Sequence, residues 1–145
     1  MLLPTLVLLA DLPAFQKAPS ADGSRSSVLI ERSLVQDRVE HDGALVRVIT
    51  RTAFLRDPAG VAAFGQIGQA YIADHGEVAF EDVTIEKADG HRVPVSASAA
   101  EDINPFGMSG TVPSDFRFRR LTIPGLEPGD RLHFRTTQKT QSASR

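Results

Sequence analysis

The sequence predicts a mostly β protein, an antiparallel β-sandwich left incomplete at its last edge, with one short helix. Three observations predict it. Apolar and polar residues alternate with a period of two along several β-branched-rich runs, the pattern of strands buried on one side. Asp-Gly pairs separate such runs at Asp42-Gly43 and Asp89-Gly90, where a tight hairpin turn needs positive φ. Only the stretch after Asp57-Pro58 breaks the alternation in favour of a helix. At 145 residues, with 41% hydrophobic and 23% charged side chains, the chain has the size and composition of one globular domain.

Taken in order, the chain opens on an apolar stretch, MLLPTLVLL, interrupted by Pro4. It is too short to span a bilayer as a helix, which takes ~20 residues, so no transmembrane segment is expected. It has the apolar core of a secretory signal, but no Lys or Arg precedes it and no clean small-x-small cleavage site follows. A signal remnant, a poorly ordered leader and an irregular first strand all stay open. Residues 18–27 are rich in Ser, Gly, Asp and Pro and read as a linker, so 1–27 is taken as leader and linker.

The domain proper is expected over residues 28–138, followed by a tail over 139–145. Two long strands, 28–40 and 44–55, flank His41-Asp42-Gly43, and a slip of phase between Val28/Ile30 and Val35/Val39 predicts a bulge within 32–34. Asp57 as N-cap and Pro58 at the first helical position start a helix that Gly65 ends. QIGQAYIA resumes as a strand with Ile67 and Tyr71 on one side. The second hairpin sets Val83 and Ile85 against Val93 and Val95, and Pro94, which has no N–H, makes its second arm an edge or a very short strand. Residues 97–114 lack periodicity and read as a long loop with Ile103 turned inward.

In FRFRRLTIPGLEPGDRLHF the alternation places Phe116 and Phe118 inward and Arg117 and Arg119 outward. Leu121 and Ile123 then stay inward only if a bulge at Arg119-Arg120 shifts the phase. Pro128-Gly129 fits the centre of a type II turn, which would pair this strand with a returning one carrying Leu132 and Phe134. As the last strand, that one would have an open edge through which the chain could self-associate.

A net charge of −2 gives no global attraction to nucleic acid or anionic lipid. The charge is uneven: residues 116–145 hold seven Lys/Arg against two Asp/Glu, and Arg117, Arg119, Arg131 and Arg135 form a candidate binding face. The absence of cysteine removes disulfides, thiolate metal sites and thiol nucleophiles. His41, His75, His91 and His133 are scattered, with no i, i+4 pair for a metal, and GMSG at residues 107–110 lacks the spacing of a nucleophile elbow. Glu81-Asp82 and Glu101-Asp102 are strand neighbours that point to opposite faces. No glycine-rich phosphate loop is present. No catalytic residue, metal or cofactor is expected, and with the Phe116 and Phe118 rings turned inward, base stacking on FRFRR is not expected either.

The order of the parts carries a resemblance. A hairpin with an Asp-Gly tip, VITRTAFLRDPAGVAAFGQI, FEDVTIEKADGHRVPV and SDFRFRRLTIPGLEPGDRLHFRTT resemble, in that sequence, the N-terminal domain of bacterial transglutaminase-like proteins, a domain of unknown function (number 3857). Pro124, Gly125, Leu126, Pro128, Gly129 and Asp130 match the family's Pro-Gly-Leu-x-Pro-Gly-Asp turn, and Ala88 stands where its second hairpin usually has Pro. The resemblance implies a non-catalytic accessory β-sandwich ahead of a transglutaminase-like domain in periplasmic or secreted proteins. Its partner would be that domain or another envelope protein. Because relatives continue past the equivalent of Gln138 with more strands, this chain looks like a truncated copy. The alternative is a ligand-binding module for envelope peptide or glycan, using the 97–114 loop and the four arginines.

Overall fold

The computed structural model describes residues 25–105 and 115–141. The expectations for residues 1–24 of the leader, for GMSG and for the second half of the 97–114 loop lie outside the described residues. Eight strands and one helix follow in order: β1 (Val28–Val39), β2 (Leu45–Leu55), α1 (Pro58–Phe64), β3 (Gln66–Ile72), β4 (Gly76–Glu86), β5 (Arg92–Pro94), β6 (Glu101–Ile103), β7 (Phe116–Thr122) and β8 (Arg131–Thr140). They form a five-stranded sheet in the order β1-β2-β8-β4-β5 and a three-stranded sheet in the order β3-β7-β6, antiparallel throughout. This is an antiparallel β-sandwich with one short helix.

Local chemistry accounts for the elements. Gly43 and Gly90 take φ of 83° and 90° at the two hairpin tips, the conformation that L side chains avoid. The Asp57 side chain accepts the Gly60 N–H at 2.9 Å and starts α1, with Pro58 in its first turn. That backbone hydrogen bond is the main reason the Asp57 carboxyl lies below the usual carboxylate range. Gly60 is buried against Ser27, whose carbonyl oxygen would lie 2.3 Å from an added Cβ. Pro94 sits in β5, a three-residue strand at the sheet edge, where a missing donor does no harm. The β1 bulge falls between Ile30 and Arg32, just ahead of the place the phase slip indicated.

The core lies between the sheets, built from Ile67 of β3, Val78, Phe80, Val83 and Ile85 of β4, Leu121 of β7, Ile123 just after it, and Leu132 and Phe134 of β8. Phe64 of α1 closes one side, its ring 6.5 Å from that of Phe134. Burial is uneven across the large sheet. One rung runs Val35-Ile49-Thr136-Phe80, and exposure falls along it from 51% at Val35 to 5% at Phe80. The small sheet therefore covers β8 and β4 and leaves β1 open.

Several expectations need correction. β7 and β8 are not a hairpin: they belong to different sheets, so the segment between them is a crossover arch. Nor is β8 an edge. It pairs with β2 on one side and β4 on the other, and the long open edge is β1. Finally, β7 pairs with β3 without any register shift, so no bulge interrupts it. Strict alternation back from buried Leu121 then puts Arg119 and Arg117 on the core-facing side, and Phe118 and Phe116 on the other, half-buried. The Phe118 ring is held instead by a glycine, its Cζ 2.2 Å from where a Cβ on Gly68 would stand. Within the presumed loop, Ala97–Ala99 form a 3-10 turn and β6 pairs with β7, while Ile103 is only half-buried. β8 continues to Thr140, so two residues assigned to the tail belong to the strand.

The placement of the core sets different costs for two leucines. Leu132 is 0% exposed, and Leu132→Ala is expected to lower the unfolding free energy by about 3 kcal/mol. Leu34, 39% exposed on β1, is expected to cost under about 1 kcal/mol on the same change. Urea unfolding of the two variants measures both.

Candidate functional site

The Pro-Gly-Leu-x-Pro-Gly-Asp run is the crossover arch, and its residues fix its shape. Gly125 and Gly129 both take positive φ, 79° and 94°. Asp130 is 2% exposed, and its Oδ2 accepts the Glu127 N–H at 2.8 Å and the Lys87 ammonium at 2.9 Å. Lys87 Nζ also donates to the Gly125 carbonyl at 2.7 Å and to Glu127 Oε2 at 3.0 Å. A buried carboxylate is tolerated only when paired and hydrogen-bonded, and these contacts meet both conditions. The hydrogen bond to Asp130, followed by that to Glu127, raises the Lys87 amine above the usual lysine range. Gly129 N–H donates to Leu55 O at 2.6 Å and Leu55 N–H to Asp130 O at 2.9 Å, which ties the arch to the end of β2. The motif thus carries the chain from the small sheet to the large one and is fastened there at β2 and β4.

The outer face of the large sheet is the chemically richer surface. The register places Arg32, Thr52, His133 and Thr84 side by side on one rung across β1, β2, β8 and β4. His133 Nε2 lies 3.0 Å from Glu86 Oε2 and Nδ1 lies 3.1 Å from Thr52 Oγ1. Since an ionised carboxylate can only accept, Nε2 carries the proton, and in the neutral ring Nδ1 accepts from the Thr52 hydroxyl. The His133 bond is the chief cause of a Glu86 carboxyl held below its usual range, with Arg92, 3.1 Å from Glu86, assisting. Around this rung a shallow concavity of about 220 Å³ includes Arg32, Thr50, Thr84, Asp82 and Arg135.

A hydroxyl, an imidazole and a carboxylate in line are the parts of an activated nucleophile. Thr52 and His133 belong to strands paired on both sides, so the backbone N–H groups of β2 and β8 around them are engaged in the sheet ladder, and any donor to an anion there would have to be a side chain. Nothing in the sequence pointed to this cluster: Thr52, Glu86 and His133 are far apart along the chain, and only the strand order brings them together.

The four candidate arginines do not form one face. Arg131 bonds Glu31 at 2.9 Å and stands 4.9 Å over the Phe54 ring, while Arg135 pairs with Asp82 at 3.0 Å, both on the outer face of the large sheet. Arg119 and Arg117 are on the other sheet and turned to its core side. Arg119 bonds Asp102 at 2.9 Å, and its Nε is shielded from solvent without a hydrogen-bond partner among the described residues. Arg117 bonds the Phe116 carbonyl at 2.9 Å. Burial, then Asp102, raises the neighbouring Tyr71 hydroxyl above its usual range. Because Phe116 and Phe118 lie outside the core, their burial no longer argues against base stacking, although Gly68 occupies one ring and Arg120 beside it pairs with Glu101.

The remaining feature is apolar. On the core-facing side of β1–β2, beyond the small sheet, Ile30, Val35, Val39 and Leu45 are 45%, 51%, 71% and 36% exposed. The band is interrupted twice: Arg47 grips Asp37 through two bonds of 2.8 Å, and the exposed Ser33–Arg51 rung lies between Ile30 and Val35. Among the described residues, no group of three His, Asp or Glu side chains is placed to hold a metal, and no helix is long and apolar enough to cross a membrane.

Over residues 41–144 the sequence matches DUF3857, a domain of unknown function with a solved structure. The chain belongs to the DUF3857 family. No curated protein matches this DUF3857 chain. It is similar to the crystal structure of a putative protease from Parabacteroides distasonis, with a TM-score of 0.73 at 15% identity over 83% of its own length. It spans only 24% of that protein, and at this identity the likeness is one of fold alone.

The arch clasp has a pH signature. A lysine whose folded pKa is raised contributes stability that is complete below its unfolded pKa, ~10.4, and is lost as pH rises through the folded value. The DUF3857 chain is therefore expected to exceed Lys87→Gln in melting temperature by a constant margin through neutral pH. That margin should shrink only above the ordinary lysine range, as thermal melts of the two proteins from pH 7 to 12 would record.

Proposed function

We propose that this chain is a non-catalytic accessory domain whose apolar β1–β2 band packs against a partner domain, by family resemblance a transglutaminase-like one. The observation that carries the proposal is the band itself. Ile30, Val35, Val39 and Leu45 continue the inner face of a sandwich past the sheet that covers it. Exposed apolar side chains gathered on one sheet face in this way are costly in water and mark an interaction site. The Arg47–Asp37 pair set within the band fits the same role, because an inward-pointing charge on an edge strand discourages indiscriminate association while leaving room for a partner with a matching polar group. The fraction of the Parabacteroides protein that the chain matches agrees with a module of a larger assembly. The apolar leader favours export to the periplasm or beyond.

The proposal also entails chemical silence. The chain lacks a thiol, and the strands that carry its hydroxyl-imidazole-carboxylate cluster have their backbone N–H groups committed to the sheet ladder. The purified chain is expected to show no peptidase or transglutaminase turnover above buffer, and to form a 1:1 complex with a transglutaminase-like domain encoded in the same genome. Sedimentation velocity measures the complex. Val35→Asp should abolish it, whereas Arg38→Gln, on the opposite face of β1, should not. Failure of wild type to bind, or binding that survives Val35→Asp, would refute the assignment of the band.

A further inference from the structure

The geometry points to an oxyanion-binding site on the outer face of the large sheet, formed by Arg32, Thr52, His133 and Thr84, for a ligand bearing a carboxylate or a phosphoryl or sulfuryl group. It is independent of the apolar band, which lies on the opposite face of the same strands. Four observations meet there.

The first is an unused cation. Most arginines on this sheet have a carboxylate partner, as Arg131 has Glu31, Arg135 has Asp82 and Arg92 has Glu86. Arg32 has none among the described residues, and it follows directly on the bulge that turns Glu31 toward Arg131. The second is a set of hydroxyls. Thr84, on the Arg32 rung, and Thr50, one step along β2, make no side-chain hydrogen bond among the described residues, so both can donate to a ligand. A guanidinium fork beside hydroxyl donors is the usual grip on a carboxylate or phosphate.

The third is size. About 220 Å³ admits one anionic group and is small for a whole nucleotide or cofactor. The fourth is the orientation of His133. With Nε2–H committed to Glu86, a second proton on the ring goes to Nδ1, which then donates to Thr52 Oγ1. This reverses the Thr52 hydrogen bond and frees its hydroxyl to donate outward. An anion at the rung therefore favours the imidazolium, and the imidazolium favours the anion. The charged groups around His133 are Glu81, Asp82 and Glu86 of β4, Arg92 of β5, Arg131 and Arg135 of its own strand, and Glu31 and Arg32 of β1; β2 contributes hydroxyls, Phe54 and Arg51, which also lines the concavity.

Sulfate and acetate serve as probes, followed by NMR of the His133 ring and the Thr52 and Thr84 amides, with chloride matched for ionic strength. Saturable shifts are expected with at least one probe, tighter at pH 6 than at pH 8. Arg32→Gln should weaken them about tenfold, the loss expected for one charge-assisted hydrogen bond at an open site. Arg38→Gln, which removes a charge elsewhere on the same face of β1, should leave them unchanged. Tighter sulfate binding would identify a phosphoryl or sulfuryl ligand, and tighter acetate binding a carboxylate. Shifts no larger than those from chloride, equal affinity at the two pH values, or an Arg32→Gln protein that binds like wild type would each overturn the site.

Discussion

The large sheet depends on β8 lying between β2 and β4, and the arch that leads into it depends on burying one carboxylate. Asp130 sits at the first residue before β8, almost wholly removed from water, where an unpaired charge would be prohibitive. Lys87 and the Glu127 N–H resolve this, and the same lysine also closes on the Gly125 carbonyl. Lys87 follows the last residue of β4, so one ammonium fixes the arch to the strand that β8 must join. The arch's backbone bonds to Leu55 fix it to β2, the other neighbour. Both flanks of the incoming strand are thus set at the point where it enters.

From that arrangement the two faces of the large sheet acquire separate characters. The inner face is mostly apolar where the small sheet covers it, and it fades into a band of exposed aliphatic side chains on β1 and β2. The outer face carries a lattice of ion pairs among β1, β8, β4 and β5, with His133 at its centre and Arg32 left over among the described residues. A partner domain on one face and a small anion on the other would not compete for space, although both would involve β1.

Much of the fold was legible because it is written in local rules. The Asp-Gly tips, the Asp57-Pro58 helix start and the short proline-bearing β5 follow from the backbone preferences of a few residues, and each is where those preferences put it. What could not be read was which strand lies beside which. Pro128-Gly129 has the residues of a turn and does turn the chain, but whether a turn closes a hairpin or crosses between layers depends on contacts with Leu55 and Lys87, remote in sequence. The reversed faces of β7 have a related cause. Phe116 and Phe118 look like core residues, yet their phase is opposite to that of Leu121, and Gly68 supplies an alternative surface for a ring. The Thr52-His133-Glu86 cluster was invisible for the reason that hid β8, since it exists only once β8 has been inserted.

That insertion also constrains the order of events during synthesis. The β1–β2 hairpin and the β4–β5 hairpin can each form from neighbouring residues soon after they emerge from the ribosome. Neither can settle into the sheet, because the strand that joins them is translated last among the described elements. Until then β2 and β4 both present unpaired edges, and the core residues on β4 have no neighbour on one side. Pairings between residues 45–55 and 131–140 are so distant that loop-closure entropy weighs heavily before they form, which slows folding. The chain therefore carries open strand edges until β8 arrives, and stopping translation before residue 131 would leave two hairpins with no strand to join them.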